Sequence, residues 1–170
     1  GCTMVLKPSE IAPLSGLFFV QMLHDAGLPA GVCNLINGTG EEVGVHMSSH
    51  PELRMISFTG STRAGKSISY NGAESLKRIT LELGGKGANL IFADADEDAV
   101  ARGVRTCFSN TGQSCNAPTR MLVEHNLYQK ALIQAKEAGE KVLVDKSNKP
   151  GPHIGPVVSA AQYQRVQDLI

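Results

Sequence analysis

The sequence predicts an α/β fold, and three of its features lead to that prediction. Short segments of apolar and β-branched residues alternate with longer segments whose apolar residues recur at helical spacing. Glycine or proline stands at most boundaries between these segments. The connections between successive strand segments are long enough to hold a helix, as parallel strands require. The length of 170 residues is enough for one ordinary domain or for parts of two.

The first half of the chain shows the alternation most clearly. The first helix, at 15–26, is predicted because Leu14, Leu17, Phe18 and Met22 recur on one side, and a glycine and a proline then end it. The other elements expected here are strands at 3–7, 32–36, 54–58 and 78–83 and helices at 41–49 and 61–71, the latter with Ser61 able to cap it.

The second half is expected to continue the alternation. After a strand at 89–92, Asp94 and Glu97 have the spacing of a capping box, which predicts a helix that begins at Asp94. The buried stripe of this helix is expected to consist of Val100, Val104 and Phe108.

The last part of the chain is predicted to hold one further strand and two helices. The strand is expected at 120–124, followed by a helix at 127–142. The inward residues of that helix are expected to be Leu127, Ala131, Leu132 and Ala135. A polar linker at 146–152 then leads to a last helix, which Ser159 and Gln162 open.

Composition and charge narrow the classes of partner. Lysine plus arginine and aspartate plus glutamate both number 16, so the formal net charge is zero. A neutral chain has no strong field that attracts nucleic acid or an anionic membrane, and neither is expected as a partner. The longest apolar runs, at 16–20 and 121–123, are too short to span a bilayer.

The four cysteines, at positions 2, 33, 107 and 115, lack the dense spacing of a disulfide scaffold. We therefore expect reduced thiols and a cytoplasmic location. The five histidines form no cluster with the cysteines, so no metal site is expected.

Two glycine-rich turns follow predicted strands and are candidates for holding phosphate. In the first, Gly38, Gly40 and Gly44 precede a helix, where backbone N–H groups can approach a pyrophosphate. Their spacing is not that of the standard dinucleotide fingerprint, so an ordinary strand-to-helix turn is the simpler interpretation. In the second, Gly60 and Ser61 lead into a helix in the same way.

Residues 60–67 also match the Gly-x4-Gly-Lys-Ser pattern of a P-loop. A P-loop enzyme needs a later strand that ends in an aspartate for magnesium. The next predicted strand instead carries Glu82 and leads into two glycines. A nucleoside triphosphatase is therefore the weaker alternative for this segment.

Cys115 is the candidate nucleophile. It lies among small polar residues in a loop between a helix and a strand, whereas Cys33 and Cys107 have the apolar surroundings of structural thiols. Hydrogen-bond donors around a loop cysteine can stabilise a thiolate that a substrate reaches. From the loop alone, a buried and unreactive thiol is an equally good interpretation.

Glu82 is the candidate general base. Its carboxylate stands in an otherwise apolar strand, just before a pair of glycines, and burying it there is costly unless it has a purpose such as proton transfer. Alternation offers a simpler interpretation, because Thr80 and Glu82 share one face of the strand and the aliphatic residues share the other.

Five motifs occur in order along the chain. They are Leu6-Lys7-Pro8-Ser9-Glu10, Gly38-x-Gly40-x3-Gly44, Phe58-Thr59-Gly60-Ser61-Thr62, Leu81-Glu82-Leu83-Gly84-Gly85-Lys86 and Gly112-Gln113-Ser114-Cys115. In this order and with these gaps they resemble the NAD(P)-dependent aldehyde dehydrogenase superfamily, and the resemblance covers nearly the whole chain. Five linked motifs are more specific than any one of them, so the resemblance displaces the P-loop interpretation.

The resemblance implies a fold, a domain organisation and a cofactor. It implies a partial Rossmann-like parallel sheet at 1–84 that binds NAD or NADP, followed by the start of an α/β catalytic domain at 85–170. Lys7 and Glu10 are then expected to hold the adenosine ribose, and the Glu10 carboxylate favours NAD because it repels a 2′-phosphate. The residues expected to line the cofactor cleft are Gly40, Gly44, Gly60 and Ser61, with the backbone of Leu83 near the nicotinamide.

The resemblance also implies the reaction. Cys115 is expected to attack an aldehyde carbon, and loss of hydride to the nicotinamide then leaves a thioester. Glu82 is expected to activate the water that hydrolyses this thioester to a carboxylic acid. Relatives that form acyl-CoA generally lack this glutamate, which favours hydrolysis. The complete enzyme is expected to be a homodimer or a homotetramer.

The chain is much shorter than members of that family. The first βαβ portion of the nucleotide fold, an upstream asparagine of the oxyanion site and a downstream Glu-x-Phe-Gly-Pro segment are not present in it. We therefore expect a fragment that is inactive by itself. The alternative from another functional class is a truncated, non-catalytic module that binds a nucleotide or serves in assembly.

Overall fold

The computed structural model describes all 170 residues, which form six strands and six α-helices. All strand pairs are parallel, so the predicted α/β class is confirmed. The chain divides into two compact units, Gly1–Leu83 and Gly84–Ile170. This division falls one residue before the predicted domain boundary, and the functional roles assigned to the two parts stay a prediction.

The first crossover of unit one runs from strand to helix to strand. β1 (Met4–Leu6) pairs with β2 (Cys33–Leu35), and α1 (Leu14–Asp25) connects them. After β2 the chain forms a π-helical turn, Gly40–Gly44, which continues into α2 (Val45–Ser49). The helix predicted at 41–49 is therefore correct in position, but its first turn is wider than an α-helical one.

The second crossover has the same arrangement and a longer ladder. β3 (Met55–Gly60) pairs with β4 (Arg78–Leu83) over six residues, and α3 (Thr62–Ala73) connects them. β1–β2 and β3–β4 are separate two-stranded sheets, so the expected parallel sheet is present as pairs.

Buried polar side chains connect α2 to the second crossover. Lys77, which is 9% exposed, donates from Nζ to the carbonyl oxygens of His50, at 2.5 Å, and Leu53, at 2.6 Å. Asn71 Nδ2 donates to the hydroxyl of the buried Ser48 at 2.8 Å. The ammonium of Lys77 thus bonds to two carbonyl groups in the chain segment that follows α2.

The second unit contains one strand pair and three helices. They are β5 (Ala88–Ile91), α4 (Ala99–Phe108), β6 (Arg120–Val123), α5 (Tyr128–Glu140) and α6 (Ala160–Gln167). β5 and β6 pair in parallel. The core of this unit is formed by Ile91, Val100 and Ala131, against which Ala99, Met121, Val123, Leu127 and Ala135 pack.

The start of α4 differs from the prediction. Its N-cap position is Asp98, so the capping box at Asp94 and Glu97 was wrong. The Asp96 carboxylate instead accepts the backbone N–H of Asp98 at 3.0 Å and pairs with Arg102 at 2.6 Å, which anchors the helix later in the chain. Val100 and Val104 are buried as expected, whereas Phe108 is 42% exposed, so its place in the buried stripe was wrong.

The end of the chain follows the prediction with one correction. Ala131 is 4% exposed but Leu132 is 48% exposed, because the next residue along a helix points about 100° away from its neighbour. The Ser159 hydroxyl accepts the backbone N–H of Gln162 at 3.2 Å, which confirms the predicted cap of α6. The polar linker at 146–152 contains no helix or strand.

The apolar side predicted for α1 is not covered within this chain. Leu14, Phe18 and Met22 are all more than 60% exposed, and Leu17 is 48% exposed. None of the helices is long and apolar enough to cross a lipid bilayer.

Candidate functional site

The predicted cofactor and base residues of the first unit share one position in the fold, at or beyond the carboxyl ends of parallel strands. Lys7 and Glu10 follow β1, and Gly40 and Gly44 follow β2. Gly60 and Ser61 stand at the end of β3, while Glu82 and Leu83 end β4. Paired parallel strands have their carboxyl ends at the same edge, which is where open α/β folds bind ligands.

Lys7 connects the end of β1 to the turn after β2. Its ammonium donates to the carbonyl oxygens of Pro8 and Gly38, each at 2.9 Å, and lies 3.4 Å from Glu10 Oε2. An ammonium has three donors, so this arrangement uses all of them. The contact with Glu10 is the longest of the three and the easiest to exchange.

Glu10 is ionised and open to solvent. A hydrogen bond from its own backbone N–H, and then the hydrogen bond from Lys7, hold the pKa of Glu10 below its ordinary value. Its side chain is 51% exposed, whereas that of Lys7 is 16% exposed. The pair therefore presents an accessible anion beside a partly covered cation.

The turn after β2 is closed by its own side chains. Thr39 Oγ1 accepts the backbone N–H of Glu42 at 3.1 Å and caps the turn. Gly38 has a φ of +152°, and a Cβ there would lie 2.4 Å from the Val43 side chain, so this position requires glycine. Gly40 and Gly44 differ, since a Cβ on either would meet no atom within 4 Å apart from its chain neighbours and its own turn.

The turn after β3 is the more favourable of the two for an anion. Ser61 Oγ accepts the backbone N–H of Ala64 at 3.2 Å and caps α3 as predicted. The first turn of α3 contains no acidic residue, whereas the turn at Gly40–Gly44 contains two glutamates. A helix N-terminus without carboxylates attracts negative charge most strongly.

Glu82 is on the exposed face of β4. Exposed and half-buried residues alternate along this strand, so the outward-facing interpretation of Glu82 is correct for this chain. Its partner in the ladder is Thr59, while Leu83 pairs with Gly60. The carboxylate therefore lies at the end of the strand without being part of a core.

Cys115 is exposed at the tip of a tight turn, while Cys33 and Cys107 are half-buried. The backbone N–H of Ala117 donates to the Ser114 carbonyl oxygen at 3.2 Å, which makes Cys115 the second residue of the turn. Ala117 is 5% exposed and anchors the end of the turn. A buried thiol, the alternative interpretation, does not fit this chain.

The segment before Cys115 has an unusual backbone. Asn110, Thr111 and Gly112 all adopt left-handed conformations, with φ of 51°, 60° and 70°. Side chain and backbone bonds between Asn110 and Gln113 close the segment, each at 3.1 Å. A β-branched residue with positive φ is a marked outlier, and backbone strain of this kind clusters at functional sites.

Two long-range hydrogen bonds hold this segment to residues 155–158. Thr111 Oγ1 donates to the Gly155 carbonyl oxygen at 2.9 Å, and Gln113 Oε1 accepts the backbone N–H of Val158 at 2.9 Å. Thr111 was not predicted as a functional residue, and Gln113 was predicted only as part of the cysteine motif. No local pattern could have indicated them, because the bonded partners lie 44 and 45 residues apart.

The site residues thus form distinct groups. The structure brings Lys7 together with Glu10, and Gly60 together with Leu83, within the first unit. Cys115 belongs to the second unit. No group of three or more histidine, cysteine, aspartate or glutamate side chains is placed to hold a metal ion.

Comparison with known proteins places this site in a family. The aldehyde dehydrogenase family matches residues 1–170. The chain is 50% identical to 3-succinoylsemialdehyde-pyridine dehydrogenase from a Pseudomonas species, over all of this chain but 36% of that protein. The chain therefore spans about a third of the length of this relative.

Solved structures agree. A crystal structure of aldehyde dehydrogenase from Bartonella henselae is 65% identical, with a TM-score of 0.97, over 99% of this chain and 36% of that one. A mutant of aldehyde dehydrogenase C from Pseudomonas syringae, in complex with NAD+ and octanal, is 48% identical, with a TM-score of 0.95, over 99% of this chain and 35% of that one. This chain belongs to the aldehyde dehydrogenase family.

Proposed function

We propose that this chain is the cofactor-binding and thiol-bearing part of an NAD(P)-dependent enzyme that oxidises an aldehyde to a carboxylic acid. The observation that carries the proposal is the exposed thiol of Cys115, on a turn anchored on both sides, in a member of the aldehyde dehydrogenase family. Nucleophilic thiols must be reachable and held in place, and both conditions are met.

The edge formed by β1 and β2 fits the ribose of a dinucleotide. The Lys7 ammonium and the Glu10 carboxylate are 3.4 Å apart, and this long contact can be replaced by the two hydroxyls of a ribose. One hydroxyl would accept from Lys7 and the other would donate to Glu10. The ionised carboxylate repels a 2′-phosphate, so we propose NAD rather than NADP as the preferred cofactor.

The turns beyond β2 and β3 fit the remainder of the cofactor. The N-terminus of α3, with Ser61 as its cap and no acidic residue in its first turn, suits the pyrophosphate. Gly40 and Gly44 have no internal neighbour where a Cβ would stand, so their surface is open to a flat group of the ligand. We assign the Leu83 backbone to the nicotinamide side and Gly60, its partner in the ladder, to the lining of the cofactor cleft.

The chemistry follows from the two exposed groups. The Cys115 thiolate adds to the aldehyde carbon, and the carbonyl oxygen becomes an alkoxide. The backbone N–H of Cys115 bonds to no backbone carbonyl of the chain and is free to stabilise that alkoxide. NAD+, when bound, supplies the acceptor for the hydride that leaves the carbon. A thioester remains on Cys115.

Glu82 completes the cycle in this proposal. Its carboxylate takes a proton from water, whose oxygen attacks the thioester carbon and releases the carboxylic acid and the Cys115 thiolate. The exposed position of Glu82 gives water direct access to it.

We further propose that the complete protein is a cytoplasmic homodimer or homotetramer that acts on a small-molecule aldehyde. The neutral net charge supports neither nucleic acid nor a membrane surface as a partner. The 170 residues by themselves are proposed to be inactive, since they span only 36% of a relative that is 50% identical.

The test uses the full-length product of the native gene. Its intact mass is measured first, and NADH formation is then followed with a panel of aliphatic and aromatic aldehydes. We expect a mass well above 18.0 kDa and NADH formation that iodoacetamide abolishes. Binding of NAD+ without oxidation of any aldehyde would instead favour the non-catalytic nucleotide-binding module.

A further inference from the structure

The backbone before Cys115 is held in a conformation that it would not adopt by itself. The left-handed conformation is unfavourable for most residues other than glycine. Asn110 is tolerant of this region, but Thr111 at a φ of 60° is not. The segment therefore needs external contacts to stay in place.

Those contacts come from a second stretch of chain, residues 155–158, which we call the strap. The strap has its own anchor, because Val144 and Ile154 form a parallel bridge. The Ile154 backbone N–H donates to the Leu143 carbonyl oxygen at 2.9 Å, and its carbonyl oxygen accepts from Asp145 at 3.1 Å. These bonds fix the chain just before the strap against residues 143–145, which follow α5.

The strap bonds to the strained segment at two points. The Thr111 hydroxyl donates to Gly155 and the Gln113 amide oxygen accepts from Val158, each at 2.9 Å. The amide nitrogen of Gln113 donates to the Asn110 carbonyl oxygen at 3.1 Å, so one side chain connects the segment to itself and to the strap. Cys115 follows Gln113 by two residues.

We propose that Thr111 and Gln113 are positioning residues, which use the strap to hold the Cys115 turn in one reactive conformation. This inference rests on the proposed function, because it concerns the same thiol. Neither side chain need touch the substrate. Their effect is to keep the thiol within reach of the aldehyde carbon, where a displacement of about 1 Å can lower the rate about 100-fold.

The test replaces these side chains in the full-length protein. Thr111→Val keeps the branched shape and removes the hydroxyl, Thr111→Ser keeps the hydroxyl, and Gln113→Ala removes the bridge. Thr106→Val is the matched control, since its hydroxyl bonds to the Arg102 carbonyl oxygen within α4. For each variant kcat, the Kd for NAD+, the rate of thiol alkylation and the Tm are measured.

We expect Thr111→Val and Gln113→Ala to lower kcat about 10- to 100-fold, with the Kd for NAD+ changed by less than about two-fold. Thr111→Ser and Thr106→Val are expected to remain within about three-fold of the native kcat. A kcat that is lost in Thr111→Val and retained in Thr111→Ser would show that the hydroxyl positions the loop, because a general loss of stability would not depend on the hydroxyl alone.

Two results would count against the inference. Native turnover in both Thr111→Val and Gln113→Ala would overturn it, as would an equal loss in Thr111→Ser. If Gln113→Ala does not fold, the comparison of Val and Ser at position 111 decides alone. Failure of the proposed function is a separate result, namely full aldehyde oxidation by Cys115→Ala.

Discussion

Glu82 lies directly opposite Thr59 in the β3–β4 ladder, and both residues are on the exposed face of the pair. The half-buried face carries the aliphatic and aromatic residues that pack inward. A change of charge at Glu82 therefore leaves the packing of the ladder intact, so that its effect on activity can be measured without an effect on folding.

Glu82→Gln tests the role of this carboxylate in hydrolysis. We expect the free energy of unfolding to change by less than about 0.5 kcal/mol, because the residue is exposed. The thioester on Cys115 should form but persist, because the amide cannot accept a proton from water. Mass spectrometry after mixing with aldehyde and NAD+ detects the acyl-enzyme. Glu74→Gln, which also changes an exposed glutamate, is the control. An unchanged rate of deacylation in Glu82→Gln would show that Glu82 is not the general base.

Cys115→Ala tests the nucleophile. We expect aldehyde oxidation to fall by at least about 1,000-fold, since no covalent intermediate can form. Binding of NAD+ should be nearly unchanged, because the assigned cofactor residues lie in the other unit. Cys2→Ala is the matched control, since Cys2 is also an exposed thiol. Equal activity in both variants would contradict the assignment.

Lys77→Met tests the buried ammonium beyond α2. The substitution keeps the length of the side chain but removes its bonds to the carbonyl oxygens of His50 and Leu53. We expect the free energy of unfolding to fall by about 2–4 kcal/mol, because two charged hydrogen bonds are lost and the Leu53 carbonyl oxygen loses its partner, whereas that of His50 keeps the backbone N–H of Leu53. Denaturant titration measures the change. Lys66→Met, at an exposed position, should change it by less than about 0.5 kcal/mol.

Lys7→Met tests the electrostatics at the end of β1. The pKa of Glu10 is lowered mainly by its own backbone N–H and next by Lys7, so the variant should raise this pKa without restoring its ordinary value. A lowered carboxyl pKa stabilises the fold above the unfolded-state pKa, and this stabilisation is lost as the pH falls through the folded-state pKa. When the pH is lowered, protonation of Glu10 should therefore cost the Lys7→Met variant less free energy of unfolding than it costs the native chain.

An NMR titration of the Glu10 side-chain carboxyl carbon in the native and Lys7→Met chains measures the shift. Lys66→Met serves as the control, since it removes a lysine elsewhere in the first unit. An unchanged titration midpoint in Lys7→Met would show that the ammonium has no influence on Glu10.

Local patterns predicted the elements well, since alternation and helical spacing act between neighbours in the chain. The β4 segment and the caps at Ser61 and Ser159 are confirmed for this reason. The predicted start of α4 was wrong because its N-cap position is Asp98 rather than Asp94, and the residue before the helix that accepts the Asp98 N–H and pairs with Arg102 is Asp96. That pair forms only once the helix exists.

The sequence was enough to pick out the residues of the candidate site, but not their exposure or the hydrogen bonds that hold the loop before Cys115. Cys115 and Glu82 stand out by residue type and surroundings, but their exposure follows from the fold. The left-handed backbone at Thr111 has no signature in residue type, because threonine rarely adopts it. The bonds to residues 155–158 depend on chain segments that meet only in the folded unit.

The left-handed backbone at Thr111 also predicts which substitutions a mutant library should return at this position. Glycine or asparagine would adopt the same backbone with less strain, so a library screened only for heat resistance should return such replacements at position 111. A library screened for turnover should discard them, because they lack the hydroxyl that reaches Gly155. If the proposed positioning role of Thr111 is correct, the two screens should diverge at this one residue.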